Sequence, residues 1–305
     1  MISTAQSLSY TISGIESLLQ FTPLHCEDNI IVIDNDSSAA DIPALRHPRI
    51  HRFIPPKSQG FAENANILVS KALSAEKDLI LLNNDLIFAP AWCEALASCG
   101  NTIAIPATNR EVQYALALAI TQEECEPQVF SLTMTMEQQA LESRYYAFQA
   151  IAEFHAARKL PHRKMIVLPF SCVRLPLRIM QTLGGFDSSF GRGGAEDYDY
   201  CLRAHLAGFS VTFVAQSLIL HFGGRSSWGI ERTEEQNARE ELFRRRFREK
   251  WGEALYAMLL LEQDVTSSDP LLHSLRHPDH LAPLIRELLR REGIAEPETF
   301  ISPTW

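Results

Sequence analysis

The chain of 305 residues is 46% apolar, enough to bury one large core with an appendage, and its formal net charge of -9 excludes a broadly basic, phosphate-neutralising surface for nucleic acid. No apolar run reaches the roughly 20 residues of a membrane-spanning helix and the first residues lack the pattern of a signal peptide, so a cytoplasmic location is expected. The cysteines Cys26, Cys93, Cys99, Cys125, Cys172 and Cys201 form no C-x-x-C pair and read as reduced, mostly buried thiols.

Along the chain, helical and strand patterns alternate. Ile12, Ile15, Leu18 and Leu19 recur at helical spacing, and the apolar run 29–34 reads as a buried strand. Strands over 49–54, 78–82 and 102–106 alternate with helices over 62–75 and 90–98. The pattern predicts an α/β fold, a mostly parallel Rossmann-like sheet flanked by helices, in which ligands bind beyond the carboxyl ends of the strands. Asp34-Asn35 and Asn83-Asn84-Asp85 fall at such ends. A polar helix is expected over 137–159, a strand over 165–170, a helix after Pro176, a helix over 197–207 stopped by Gly208, and strands over 211–214 and 217–220. From Glu234 a charged helix runs to Trp251, with two further helical stretches beyond.

Four segments carry candidate chemistry. Asn83-Asn84-Asp85 places a carboxylate at a strand exit, where one acid together with a diphosphate can hold a hard divalent cation; a plain polar turn is the alternative. Glu196-Asp197-Tyr198-Asp199 opens a helix just after the glycine-rich stretch Gly191–Ala195. The helix dipole there favours ionised carboxylates able to accept a proton as general base, although acids favour helix starts without any such role. His221 ends an apolar strand and precedes the loop Phe222–Trp228, in which Arg225 is suited to close over a diphosphate; a structural histidine is the alternative. Gln59–Asn66 enters a helix through Gly60, with Asn64 and Asn66 available for backbone or ligand.

In this order and approximate spacing, the segments resemble the family 2 glycosyltransferases of the GT-A fold, particularly bacterial enzymes of O-antigen and related surface-glycan assembly. The resemblance covers about residues 10–252. It rests on Ile-Val-Ile-Asp-Asn, Gly-Phe-Ala-x-x-Ala-Asn, Asn-Asn-Asp, Gly-Gly-Phe-Asp, Glu-Asp-x-Asp and His-Phe-Gly. It implies transfer of a sugar, with inversion, from a nucleotide-sugar donor to a glycan or lipid-linked acceptor. Asp197 is then the catalytic base and Glu196 its acceptor-side neighbour. Asp85 and His221 hold Mn²⁺ or Mg²⁺ with the donor diphosphate, while Asn83 stands where a first acid often does. Asn35 touches the nucleotide base, Asp34 orders its loop, and Thr4, Asn66, Asn84 and Arg225 complete the donor side; Gly185 and Trp228 lie toward the acceptor. Asp199 cannot share a helical face with Asp197 and is expected to be structural.

The resemblance divides the chain into a GT-A domain over 1–230, with a nucleotide-sugar half over about 1–107 and an acceptor half over about 108–230, and a helical extension over 231–305. Relatives open with a full strand ending in Thr-Tyr-Asn; here the first strand is almost absent from Met1-Ile2-Ser3-Thr4. The helix over 240–251 reads in two ways. Either it rests on the inner face of an anionic membrane, or, as favoured, Glu240 and Glu241 pair with arginines one turn on while the aromatics pack inward. Nucleotidyl transfer lacks its phosphate loop here. A degenerate nucleotide-sugar-binding or scaffold protein is the remaining alternative.

Overall fold

The computed structural model describes residues 1–3, 8–35, 42–108, 152–153, 156–157, 161–223, 233–263, 271 and 281–303. A short strand β1 (Ile2–Ser3) leads to helix α1 (Leu8–Phe21), strand β2 (Ile30–Asp34) and strand β3 (Ile50–Phe53), and these three strands form a parallel sheet in the order β1-β2-β3. The stub is a real strand: the Met1 amine donates to Ile31 O at 3.0 Å and Met1 O accepts from Ile33 N at 2.8 Å. Helix α2 (Phe61–Ser74) follows, its first turn closed by Glu63, whose carboxylate accepts from the Gly60 amide at 2.8 Å.

The second sheet has six strands. Strand β4 (Leu79–Leu82) and strand β5 (Leu86–Ile87) flank the Asn-Asn-Asp turn, helix α3 (Glu94–Ala97) is a single turn, and strand β6 (Ile103–Thr108) lies near the centre. Strand β7 (Arg163–Met165), strand β8 (Cys172–Leu175), helix α4 (Leu177–Leu183), helix α5 (Glu196–Leu206) and strand β9 (Val211–His221) complete it. The order is β4-β8-β6-β9-β5, with β7 also on β9. The α/β GT-A architecture expected from the sequence is present, but this sheet is mixed rather than mostly parallel. β6 and β9 run parallel, whereas β5, β7 and β8 pair antiparallel with their neighbours.

Three elements differ from the sequence reading. The strand expected over 165–170 ends at Met165; Ile166, Val167, Leu168 and Phe170 are buried but make no ladder, and Pro169 has no N–H to give one. Pairing resumes at Cys172, in a strand the periodicity did not separate. The two strands expected over 211–220 are one, and the break in pattern coincides with a register shift against Pro106 and Ala107. The helix expected over 137–159 lies almost wholly outside the described residues.

The C-terminal part packs directly on the sheet domain. Helix α6 (Glu234–Leu259) is capped by Thr233 and interrupted at Gly252, where φ is +88°, and helix α7 (Leu281–Arg291) packs against α5 and α6. Phe247 and Trp251 are buried in the main core. Along the outer side of α6, Glu240 pairs with Arg244 at 2.6 Å as expected, whereas Arg245 turns to Glu249 instead of Glu241, and Arg246 also pairs with Glu249 at 3.3 Å. No helix among the described residues is long and apolar enough to cross a membrane, and the five described cysteines are free.

Candidate active site

The buried turn after β4 brings Asp85 to His221. Leu86 pairs in register with His221, Phe222 N donates to Asp85 O at 3.0 Å, and the Asp85 Oδ1 to His221 Nε2 distance is 3.3 Å. Asp85 is 2% exposed. The separation is near the about 3 Å edge between adjacent ligands in an octahedral shell, and a carboxylate with an imidazole is a donor pair that Mn²⁺ accepts. The two expected metal residues therefore fit a divalent cation. Among the described residues no third histidine, cysteine or acid joins them.

Asp197 stands at the start of α5, where the chain enters through Ala195 in the left-handed region (φ +64°). Its Oδ2 accepts from Phe170 N at 3.2 Å and its Oδ1 from Tyr198 N at 2.8 Å. Burial pushes its carboxyl up to about 6 in spite of those donors. Glu196 is buried and turns back to accept from the Gly194 amide. Burial, and then the neighbouring Asp197 charge, push its carboxyl up to about 7. The half-buried Asp197 is thus ionised at neutral pH yet basic enough to take a proton.

Asp199, expected from its helical phase to be structural or to act behind the site, is held by buried side chains. It is fully buried, bonded by Arg203 Nε at 2.8 Å, Lys250 Nζ at 2.7 Å and the Trp251 indole N–H at 3.0 Å. Arg203, also fully buried, donates onward to the carbonyls of Leu183, Gly185 and Thr299.

Several residues expected at the site are committed elsewhere. Asn66 forms a two-bond clasp with the backbone of Phe186 (2.7 and 3.0 Å), so it fastens α2 to the Gly-Gly-Phe-Asp turn instead of facing a donor. Asn84, 1% exposed, donates to Thr11 Oγ1 of α1 at 2.8 Å. Gly185 is enclosed, its N–H bonded to Ile301 O and a Cβ there meeting Asn66 at 2.3 Å, which leaves it no acceptor-facing surface. The Asn35 side chain is tied to Ser58, Gln59 and Asn64, and so orders the 58–60 turn. Asp34 orders its own strand end through Arg52 at 2.5 and 2.7 Å. Thr4, Arg225 and Trp228 lie outside the described residues.

Sequence reasoning missed the face that α6 turns to the glycine stretch. Leu242 lies against Gly191, Arg239 Nε donates to Gly193 O at 3.3 Å, and the Phe243 ring occupies the space beside Gly194, where a Cβ would come within 2.3 Å of it. Residues 239, 242 and 243 follow helical i, i+3, i+4 spacing. Glycines leave no side-chain pattern to pair with that stripe, so nothing in the periodicity pointed to the contact.

No family model and no curated protein matches the chain. Among solved structures it is similar to GalNAc-T7 with UDP, GalNAc and Mn²⁺, at 13% identity and a TM-score of 0.51, covering 93% of this chain and 52% of that one. The chain thus spans about half the length of that structure. It also matches the mannosyltransferase PcManGT from Pyrobaculum calidifontis in complex with GDP-Man and Mn²⁺, at 12% identity and a TM-score of 0.47, covering 97% of this chain and 75% of that one. The likeness to the first is one of fold.

Proposed function

We propose that the chain is a metal-dependent, inverting glycosyltransferase that moves a sugar from a nucleotide-sugar donor to a glycan or lipid-linked acceptor. The observation that carries this reading is the Asp85–His221 pair at 3.3 Å, two metal-competent side chains brought together from the turn before β5 and the end of β9. Asp85 and His221 would hold Mn²⁺ or Mg²⁺, and a bound cation would neutralise the charge that develops on the diphosphate leaving group. Asp197 accepts the proton of the incoming acceptor hydroxyl as its oxygen attacks the anomeric carbon from the face opposite the diphosphate. The bond to the diphosphate breaks as the new glycosidic bond forms, and the configuration inverts. The fold neighbour GalNAc-T7 holds UDP, GalNAc and Mn²⁺, which is consistent with the nucleotide-sugar class assigned here.

The placement in family 2, and in bacterial surface-glycan and O-antigen assembly in the cytoplasm, is supported by the sequence resemblance. Glu196 supports the acceptor side by fixing the glycine stretch, and the resemblance assigns Arg225 to the donor and Trp228 to the acceptor. The domain division is read as a catalytic unit over 1–230 with the helical extension 231–305 packed on it.

Asp197→Asn, assayed separately for donor binding and for transfer, tests the base. Retained donor binding with transfer lost supports the role, and undiminished transfer removes it. A thermal-shift screen of nucleotide sugars with and without Mn²⁺ tests the class, since a ligand bound only by the folded state raises apparent stability. Absence of any shift across the screen would favour a scaffold protein.

A further inference from the structure

We infer that Arg239, delivered by the C-terminal helix, is a positioning residue for the acceptor-side acids: it holds the Gly193 carbonyl and faces the Glu196 carboxylate, so that α6 sets the charge on the acid beside the base. The inference rests on the reading of Asp197 as that base.

The geometry converges on one point. Gly193 has φ +141°, and the position its missing Cβ would occupy lies 3.6 Å from Arg239 Nη2 and 3.6 Å from Glu196 Oε1. The guanidinium and the carboxylate thus border the same glycine, which leaves room for both. The guanidinium is fixed by its bond to Gly193 O, and the carboxylate by the Gly194 amide. Leu242 and Phe243, on the same face of α6, lock the register by filling the spaces over Gly191 and Gly194.

The charged groups around Glu196 can be enumerated by element. Asp197 adjoins it on α5 and opposes its ionisation, whereas Arg239 from α6 favours it. Behind Arg239 stand Arg192, in the glycine stretch, and Glu235, one turn back on α6. From α2, the Glu63 carboxylate is bound to the Gly60 amide. Two adjoining buried carboxyls more readily share a proton than ionise together, and a cation at their edge lets both be negative at once. With Glu196 ionised, its field strengthens Asp197 as a proton acceptor.

The test is a carbon-detected NMR titration of the Glu196 and Asp197 carboxyls in the full chain, without substrate, for the unmodified protein, Arg239→Gln and Arg239→Lys. The expected result is that the upper ionisation of the pair rises by about one pH unit in Arg239→Gln and returns toward the original position in Arg239→Lys. A folded Arg239→Gln protein with an unchanged titration overturns the inference. Should that variant not fold, the Arg239 Nε resonance of the unmodified protein decides: it moves through the Glu196 titration if the two groups are coupled, and a flat response overturns the proposal. Neither readout uses transfer. A protein inactive with every nucleotide sugar therefore sinks the functional reading while leaving this result standing, and the reverse combination is equally distinguishable.

Discussion

The Phe170 amide donates to the Asp197 carboxylate, and the next residue, Ser171, accepts from the Asn83 amide at 2.8 Å. One dipeptide therefore fastens both the candidate base and the turn that carries Asp85. Asp197 and Asp85 lie more than 100 residues apart in sequence, yet both are tied to the backbone of one short segment.

The raised carboxyl of Asp197 gives transfer an acid limb. On the proposed reading of Asp197 as a base that works ionised, the rate at saturating donor is expected to fall about tenfold per pH unit below about 6 and to level off above it. Asp197→Asn is expected to lower transfer about 10²- to 10⁴-fold at pH 8, with donor affinity unchanged. A pH–rate profile of the two proteins checks both.

The same carboxyl costs stability at working pH. Its folded value, about 6, lies above the about 3.9 of an unfolded aspartate, so the folded state binds the extra proton in the window between them. Stability from this group is therefore present at low pH and lost as pH rises through that window. Asp197→Asn is expected to be more stable than the unmodified protein by about 1–2 kcal/mol at pH 8 and to lose that advantage near pH 4. Urea unfolding at the two pH values measures it.

Removing either metal residue separates donor binding from folding. Asp85→Asn and His221→Ala are each expected to abolish the Mn²⁺-dependent part of the nucleotide-sugar thermal shift. If the shift with Mn²⁺ survived in both, the metal site would lie elsewhere.

Gly194 is required twice over, by φ +135° and by the Phe243 ring against it. Gly194→Ala is expected to cost about 2–5 kcal/mol, combining backbone strain with overpacking. Adding Phe243→Ala relieves the clash but not the strain, so the double variant should recover only part of the loss. Denaturant midpoints of the three proteins decide.

Much of the fold was legible because β2, β4 and α2 carry clean periodicity and end in recognisable turn residues. The meeting of Asp85 with His221 was legible too, since the resemblance placed both at one site and each follows an apolar strand. Asn66 and Asn84 were misread for a shared reason. An asparagine at a strand end or helix start looks alike whether its amide meets a ligand or a distant backbone, and only the tertiary partners, Phe186 and Thr11, distinguish the cases. Pro169 could have warned that the apolar run 165–170 is not one strand. Arg239 was invisible, because its hydrogen-bond acceptor is the backbone carbonyl of a glycine 46 residues away.

The anchoring of Asp199 by Lys250 and Trp251 bears on where the catalytic unit can be cut. A fragment ending at residue 230 would keep every motif shared with the glycosyltransferases, yet it would take two of the three side chains that hold Asp199 and uncover the glycine stretch before Glu196. Losing partners of a buried charge costs about 3–5 kcal/mol, a large part of what a domain has to spare. Such a fragment is expected to express as aggregate, whereas one extended through 303 should refold reversibly. The smallest working piece of this protein is set by its last helices and not by its last motif.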